Sequence, residues 1–224
     1  MKYYIIIGVI ALALIIIYQV VYNRFSRNLA KVLYADLNPE GYLQQLSSLP
    51  AKLMISKNRR LFLALDALAY QGDHQGMQQV FSQLEARKLS YGQKINLYDK
   101  QIQFFVDTKD YEAAKSKLAL LQKEGSKINN ANMQYLLENV EALVEIYANH
   151  NGSYAKKMVM AAEKNPTKLA KATYYYRAAK CYYYQKDNQN TLKYLKKARN
   201  NAANTSLAKH IDSCLEDNEK LNDM

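Results

Sequence analysis

The chain has 224 residues, a formal net charge of +11, 7 glycines and only 3 prolines. This scarcity excludes a sheet-rich fold, which needs turn-forming residues about every ten positions, and favours an all-α protein. The two cysteines, Cys181 and Cys214, fall in different predicted helices without metal-ligand spacing. They indicate buried thiols in a reducing compartment rather than a disulfide framework.

The first predicted element is a membrane-spanning helix at residues 3–22. This run, YYIIIGVIALALIIIYQVVY, is apolar apart from Gln19, and a 20-residue helix spans about 30 Å, the thickness of the hydrocarbon core. A cleaved signal peptide is the competing interpretation. However, the small residues Ala11 and Ala13 lie in mid-run, and bulky residues follow it. We therefore expect residues 1–23 to be a retained single-pass anchor.

Basic residues flank this span unequally. Lys2 precedes it, whereas Arg24, Arg27 and Lys31 follow it. The positive-inside rule therefore places the long C-terminal part in the cytoplasm. The predicted localisation is the cell membrane, with the soluble domain on the cytoplasmic side.

Residues 24–57 are predicted to be a juxtamembrane segment followed by an N-terminal helix. Asn38 is a helix-capping residue type, and Pro39 then falls at a first helical position. This pair predicts a helix that begins at residue 39.

Residues 58–204 contain amphipathic helices separated by four similar polar turns. The turns read QGD at 71–73, TKD at 108–110, NHN at 149–151 and QKD at 185–187. Their markers, Asp73, Asp110, His150 and Asp187, are 37, 40 and 37 residues apart. A fixed period in this range indicates a solenoid of helical hairpins.

Residues recur at helical spacing on both sides of three of these turns, and those before the turns are all large. The pairs before the turns are Leu61 and Leu68, Tyr98 and Phe105, and Tyr175 and Tyr182. The pairs after them are Phe81 and Leu84, Leu118 and Leu121, and Leu195 and Ala198. Each pair lies on one helix face, so each unit is predicted to be two helices with one buried stripe each.

These units resemble the tetratricopeptide repeat (TPR) family. The matching positions of the unit at 172–204 are Tyr175, Ala178, Ala179, Tyr182, Lys186, Asp187, Thr191, Leu195 and Ala198. In the unit at 95–125, DYEAAKSKL is the closest local match. The units at 58–89 and 135–166 are weaker. In the last one, glutamates at 141 and 145 fall where the family usually buries a side chain, which leaves its register open.

The resemblance implies a concave groove that binds peptides. It places six side chains there: Tyr176, Lys180, Tyr183, Tyr184, Gln103 and Tyr147. Some family members grip a C-terminal carboxylate at positions that hold Phe62, Asp66, Lys100, Asp99, Gln103 and Arg177 here. Of these six residues, only Arg177 suits a carboxylate. We therefore do not expect the chain to bind a C-terminal carboxylate in that way. Residues 205–224 are predicted to be a C-terminal capping helix and tail, which closes the stack.

Positive charge is concentrated near the C-terminus. Between Lys156 and Lys209 thirteen basic residues face two acidic ones, and this segment carries the entire net charge. A candidate basic face is formed by Lys193, Lys196, Lys197 and Arg199. We expect this face to meet either anionic lipid headgroups or an acidic partner.

No pattern of catalytic residues is present in the sequence. The histidines His74, His150 and His210 are scattered, and there is neither a phosphate-binding glycine loop nor a nucleophile elbow. We therefore expect no enzyme activity, no metal and no cofactor.

The leading hypothesis is a membrane-anchored TPR-like scaffold or adaptor that binds a partner protein or peptide in its concave groove. The alternative is an extracytoplasmic helical-repeat protein, anchored or secreted, that acts in envelope assembly or substrate handling. Nucleic-acid binding through the basic segment ranks last, because no recognised module accompanies the charge.

Overall fold

The structure is a computed structural model that describes residues 2–128, 130–202 and 206–222, without the side chains of residues 2–7, 9–11, 14 and 206. Within these ranges it contains twelve α-helices, two short 3-10 helices and no strand, which confirms the predicted all-α class. The chain divides into two compact units, Met1–Ser90 and Tyr91–Met224.

The first unit contains five helices. They are α1 (Lys2–Tyr34), α2 (Pro39–Ser47), α3 (Leu49–Met54), α4 (Lys57–Gln71) and α5 (His74–Glu85). The C-terminal half of α1 is part of a core whose buried members are Leu29, Leu33, Tyr42, Leu46, Ile55 and Ala67. The side chain of Asn38 accepts a hydrogen bond from the Gly41 N–H, which confirms the predicted start of α2.

The predicted membrane span lies within α1. This helix is continuous from Lys2 to Tyr34, so residues 3–22 are helical as predicted. Among the described residues, no helix is both long enough and apolar enough to cross a membrane. The side chains of residues 3–7, 9–11 and 14 of the predicted span lie outside the described part.

The second unit begins with three long helices and ends with four further ones. They are α6 (Tyr91–Asp107), α7 (Tyr111–Gly125), α8 (Ala131–Ala148), α9 (Ala155–Lys164), α10 (Lys168–Tyr184), α11 (Asn188–Ala202) and α12 (Ser206–Glu216). The two short 3-10 helices, Gly152–Tyr154 and Asn218–Asn222, precede α9 and follow α12. One core cluster joins α6, α7 and α8, and a second joins α8 to the C-terminal 3-10 helix.

The four predicted turns share one backbone form. A residue with a left-handed backbone ends each first helix: φ is 69° at Gly72, 60° at Lys109, 51° at His150 and 59° at Lys186. The side chain of the next residue accepts a backbone N–H of the following helix, at Asp73, Asp110, Asn151 and Asp187. A left-handed residue followed by a cap is a common way to end one helix and begin the next.

The third turn is longer by one residue, which corrects the predicted marker. His150 occupies the left-handed position, so Asn151 rather than His150 corresponds to Asp73. The markers are therefore 37, 41 and 36 residues apart. The Asn151 N–H donates to the Glu145 carbonyl, six residues earlier in the chain. The Glu145 carboxylate accepts from the side-chain amides of Asn149 at 2.8 Å and Asn151 at 3.1 Å. Glu145 thus forms the turn rather than part of the core.

The predicted buried stripes are confirmed most fully in the second helices. All six of their predicted stripe residues are buried: Phe81, Leu84, Leu118, Leu121, Leu195 and Ala198. In the first helices Leu68 and Tyr175 are buried, whereas the other four are half-buried, namely Leu61, Tyr98, Phe105 and Tyr182. The first helices therefore keep part of their surface open along the repeats.

Candidate functional site

A groove in the second unit crosses the first helices of three successive predicted repeats, α6, α8 and α10. It has a volume of about 390 Å³. Its lining residues are Asp99 and Gln103 on α6, Tyr135, Leu136, Asn139, Val140 and Leu143 on α8, and Ala170, Thr173, Tyr174 and Arg177 on α10. Each set recurs at helical spacing, so each helix contributes one face.

Opposite charges lie on opposite walls of this groove. Gln103 Nε2 donates to Asp99 Oδ1 at 3.0 Å. Burial raises the pKa of Asp99, and the Gln103 hydrogen bond and the positive charges of Lys100 and Arg177 partly oppose this rise. The Arg177 guanidinium lies over the Tyr174 ring, 5.8 Å from its centre. The groove thus presents one carboxylate and one guanidinium, held by neighbouring side chains.

The Arg177 side chain also leaves a hydrogen-bond donor free. Its Nε is buried and has no hydrogen-bond partner among the described residues. A buried donor without an acceptor costs free energy that a ligand can recover. A carbonyl or carboxylate oxygen that enters the groove would satisfy it.

The floor of the groove is apolar and its rim is aromatic. Leu136, Val140 and Leu143 of α8 line the floor, and Tyr135 at the rim is 58% exposed. An apolar floor with a few fixed polar groups is the usual composition of a ligand site. Its chemistry suits an apolar side chain of a peptide, with polar contacts to the peptide backbone.

Of the predicted groove residues, Gln103 lines this groove and Tyr147 contacts one of its lining residues, Arg177. Gln103 is exposed and lines it. Tyr147 is half-buried, and burial raises the pKa of its phenol while Arg177 acts in the opposite direction. Gln103 is therefore accessible to a ligand, whereas Tyr147 interacts with Arg177 and does not line the groove.

The prediction that Tyr176 and Lys180 face an open groove is wrong. Tyr176 is 2% exposed and Lys180 is 1% exposed, because α12 and the C-terminal 3-10 helix cover this face of α10. Tyr176 Oη lies 2.9 Å from His210 Nε2, and Lys180 Nζ donates to the carbonyl of Leu221. The C-terminal segment therefore covers the two residues that the family resemblance places in the groove.

The buried ammonium of Lys180 is held between two aromatic rings. Its Nζ lies 4.8 Å from the centre of the Tyr147 ring and 5.9 Å from that of Tyr184. A buried charge is costly unless hydrogen bonds and ring faces compensate it. Lys180 is therefore part of the core structure of the second unit.

The remaining predicted groove tyrosines also make contacts within the protein. Tyr183 Oη accepts from Asn222 Nδ2 at 3.0 Å. Tyr184 stacks on His150 with ring centres 4.7 Å apart, and burial raises the pKa of its phenol. Both side chains are half-buried and link α10 to its neighbouring segments.

Three members of the predicted basic face differ from the fourth. Lys193 Nζ lies 5.2 Å from the Tyr194 ring centre, Lys197 Nζ lies 5.2 Å from that of Tyr175, and Lys196 is exposed. The fourth, Arg199, pairs through its Nε with the carboxylate of Asp212 on α12 at 2.6 Å. Only the three lysines therefore present positive charge that is not opposed by α12.

Sequence reasoning missed the α8 wall of the groove. Tyr135 and Asn139 lie one helical turn apart on α8, which begins after the capping Asn130. The signal was present as an i, i+4 pair downstream of that cap. This pair does not stand out in the sequence, because Glu141 and Glu145 obscure the register of the repeat.

The described residues give no support for a metal centre. They contain no group of three or more His, Cys, Asp and Glu side chains that could hold a metal ion. Cys181 and Cys214 are free and buried, and burial raises the pKa of the Cys181 thiol to about 12. A thiol with this pKa is protonated at neutral pH and is a poor nucleophile.

Comparison with known proteins gives no relative: no family model, no curated protein and no solved structure matches the chain. Its function is therefore inferred from its own groove, charges and N-terminal helix.

Proposed function

We propose that the chain is a membrane-anchored, TPR-like scaffold that binds a segment of a partner protein in the groove between α6, α8 and α10. The observation that carries this proposal is the groove itself, which crosses the first helices of three successive predicted repeats. The same helices bind peptides in the family that the sequence resembles. Binding on such a surface requires neither a cofactor nor a catalytic residue.

The groove chemistry favours a peptide with an apolar side chain. That side chain would lie on Leu136, Val140 and Leu143, while a peptide carbonyl would accept from the buried Nε of Arg177. Asp99 on the opposite wall would accept from a peptide N–H or a basic side chain. The two charged walls would thus fix the direction in which the peptide lies.

The N-terminal helix supplies the second half of the proposal. Residues 3–22 would hold the scaffold in the membrane, and the basic residues that follow them would keep the second unit in the cytoplasm. A reporter fused after residue 224 and read on both sides of the membrane tests this orientation. An external signal would favour the extracytoplasmic alternative.

Peptide selection on the full chain in detergent tests the groove. Peptides that bind the wild type should lose at least about tenfold in affinity with Leu143→Arg, because a charge then enters the apolar floor. Arg177→Glu should change the peptides selected, whereas Tyr70→Arg, at a site on α4 outside the groove that is 52% exposed, should leave binding unchanged. Peptides that bind Leu143→Arg as well as the wild type would show that recognition lies elsewhere.

A further inference from the structure

A second concave surface lies in the first unit, between α1 and α3. It has a volume of about 890 Å³ and begins where the predicted membrane span ends. Its lining combines three cations with apolar walls: Arg24, Arg27, Lys31, Val21, Pro50 and Met54. We refer to these six residues as the headgroup groove.

The three cations of the headgroup groove form one stripe. Arg24, Arg27 and Lys31 are spaced three and four residues apart on α1, so they share a helix face, and all three are exposed. No carboxylate lines the groove, and the ion pairs of the described residues do not include any of the three. The stripe therefore presents positive charge to any anion that enters.

The short helix α3 adds an apolar surface next to the groove. Leu49 and Leu53 lie one turn apart and are 69% and 76% exposed, whereas Ala51 on the opposite face is buried. Tyr18 Oη donates to the Met54 carbonyl at 3.5 Å, which places the end of α3 beside the last turns of the predicted span. Exposed leucines at this position are costly in water and favourable in hydrocarbon.

We propose that the headgroup groove binds the phosphate of an anionic phospholipid. Arg24, Arg27 and Lys31 would surround the phosphate, and an acyl chain would lie along Val21, Met54 and Leu53. This inference rests on the proposed membrane anchor, because only an inserted α1 brings the groove to the level of lipid headgroups.

A lipid fits this surface better than a soluble anion does. A free phosphate would neutralise the cations but would leave Leu49 and Leu53 exposed to water. A lipid neutralises the charge and covers the apolar surface at once. The cations also lie just beyond the apolar run, at the depth where headgroups begin.

The expected preference can be estimated from surface electrostatics. A basic residue near an anionic leaflet strengthens association by about fivefold, so three of them give on the order of a hundredfold at most. Because exposed side chains are partly screened by salt, we expect a preference of at least about tenfold for an anionic over a zwitterionic lipid.

The test uses the full chain extracted gently from vesicles of equal phosphatidylglycerol and phosphatidylcholine with identical acyl chains. Native mass spectrometry then counts the lipid retained by each protein molecule. The wild type should retain phosphatidylglycerol at least about tenfold over phosphatidylcholine. The triple variant Arg24→Gln, Arg27→Gln and Lys31→Gln should retain both equally.

Two controls distinguish binding at the headgroup groove from a general attraction between the protein's positive charge and anionic lipid. Lys88→Gln, Lys94→Gln and Lys123→Gln together remove the same charge from exposed positions elsewhere and should keep the wild-type preference. Met54→Asp keeps all three cations but places a carboxylate in the groove and should abolish the preference, whereas Gln44→Asp on the exposed side of α2 should not. Loss of preference in both triple variants would overturn the site.

Flotation with neutral vesicles distinguishes the two proposals. If the chain does not float with pure phosphatidylcholine vesicles, the anchor is wrong and the headgroup site falls with it. If it floats but retains the two lipids equally, the anchor stands and the headgroup site alone is overturned. Flotation together with a preference that depends on Arg24, Arg27 and Lys31 supports both.

Discussion

Tyr176 Oη lies 2.9 Å from His210 Nε2, which joins the middle of α10 to the middle of α12 across 34 residues of sequence. The two rings also meet edge to face, with centres 5.5 Å apart. This contact, with that between Lys180 and the Leu221 carbonyl, holds the C-terminal segment on α10. The closed end of the second unit therefore depends on polar contacts as well as on apolar packing.

Tyr176→Phe should weaken the attachment of α12 to α10 without disturbing the rest of the second unit. Loss of one buried hydrogen bond costs about 1 kcal/mol, which corresponds to about fivefold faster local opening. Hydrogen exchange should therefore accelerate in the amides of α12, while those of α6 stay unchanged. Tyr70→Phe, on the exposed side of α4, should change neither. Equal acceleration in α6 and α12 would mean that the contact supports the whole unit.

Glycine should change the free energy of unfolding in opposite directions at a left-handed turn residue and within a helix. Lys186 has a φ of 59°, a conformation that costs a residue with a Cβ about 1 kcal/mol and glycine almost nothing. Lys186→Gly should therefore raise the free energy of unfolding by up to about 1 kcal/mol. Lys196→Gly, at an exposed position within α11, should lower it by about 1 kcal/mol. Urea unfolding of both variants measures the two changes. Destabilisation by Lys186→Gly would mean that its side chain, rather than its backbone, forms the turn.

The helices and turns could be predicted because their signals are local. Gly72, Asp73 and Asp110 can be recognised as turn and cap residues from their immediate neighbours in the sequence. Similar turns then recur about every 37 residues. In the third turn, NHN at 149–151, the marker is Asn151 rather than the predicted His150, and the sequence does not separate the two because asparagine flanks the histidine on both sides. Only the left-handed φ of His150 distinguishes them.

The accessible part of the groove could not be predicted from this local information. Whether Tyr176 is open or covered depends on where residues 206–222 fold back, which no periodic signal encodes. Likewise, Arg199 forms an ion pair with Asp212, thirteen residues further on and beyond the basic segment between Lys156 and Lys209. The helix α8 contributes lining residues between those of α6 and α10, and Glu141 and Glu145 obscure its register in the sequence.

The Cys181 thiol provides a test of core burial. Its pKa of about 12 results chiefly from burial, which outweighs the opposing charges of Lys180 and Arg177. The folded chain should therefore react with a thiol reagent at pH 8 far more slowly than the unfolded chain, in which a cysteine titrates near 8.5. Mass spectrometry of labelled peptides measures Cys181 directly. Equal labelling of folded and unfolded protein at Cys181 would contradict this burial.

Asp99 predicts how stability depends on pH. Burial raises its pKa above the ordinary value of 3.8, so the folded state binds this proton more tightly than the unfolded state does. Its contribution to stability is therefore complete below about pH 3.8 and is lost as the pH rises through its folded-state pKa. Asparagine resembles the protonated acid at every pH. Asp99→Asn should thus stabilise the chain at neutral pH and should have little effect in acid.

Asp187 is the matched control, because its pKa shifts in the opposite direction. Its carboxylate accepts from the Asn190 side chain at 2.7 Å and from the Asn190 backbone at 3.0 Å, and these bonds lower its pKa. Its contribution is present above the ordinary pKa and is lost as the pH falls through the lowered one. Asp187→Asn should therefore destabilise at neutral pH and converge with the wild type in acid. Unfolding curves of both variants, measured from pH 7 down through the acid range in which both carboxylates become protonated, give the two differences. Equal destabilisation by both substitutions at pH 7 would contradict the prediction for Asp99. It would mean that the contacts with Gln103 and Arg177 stabilise the ionised Asp99 carboxylate by more than burial destabilises it.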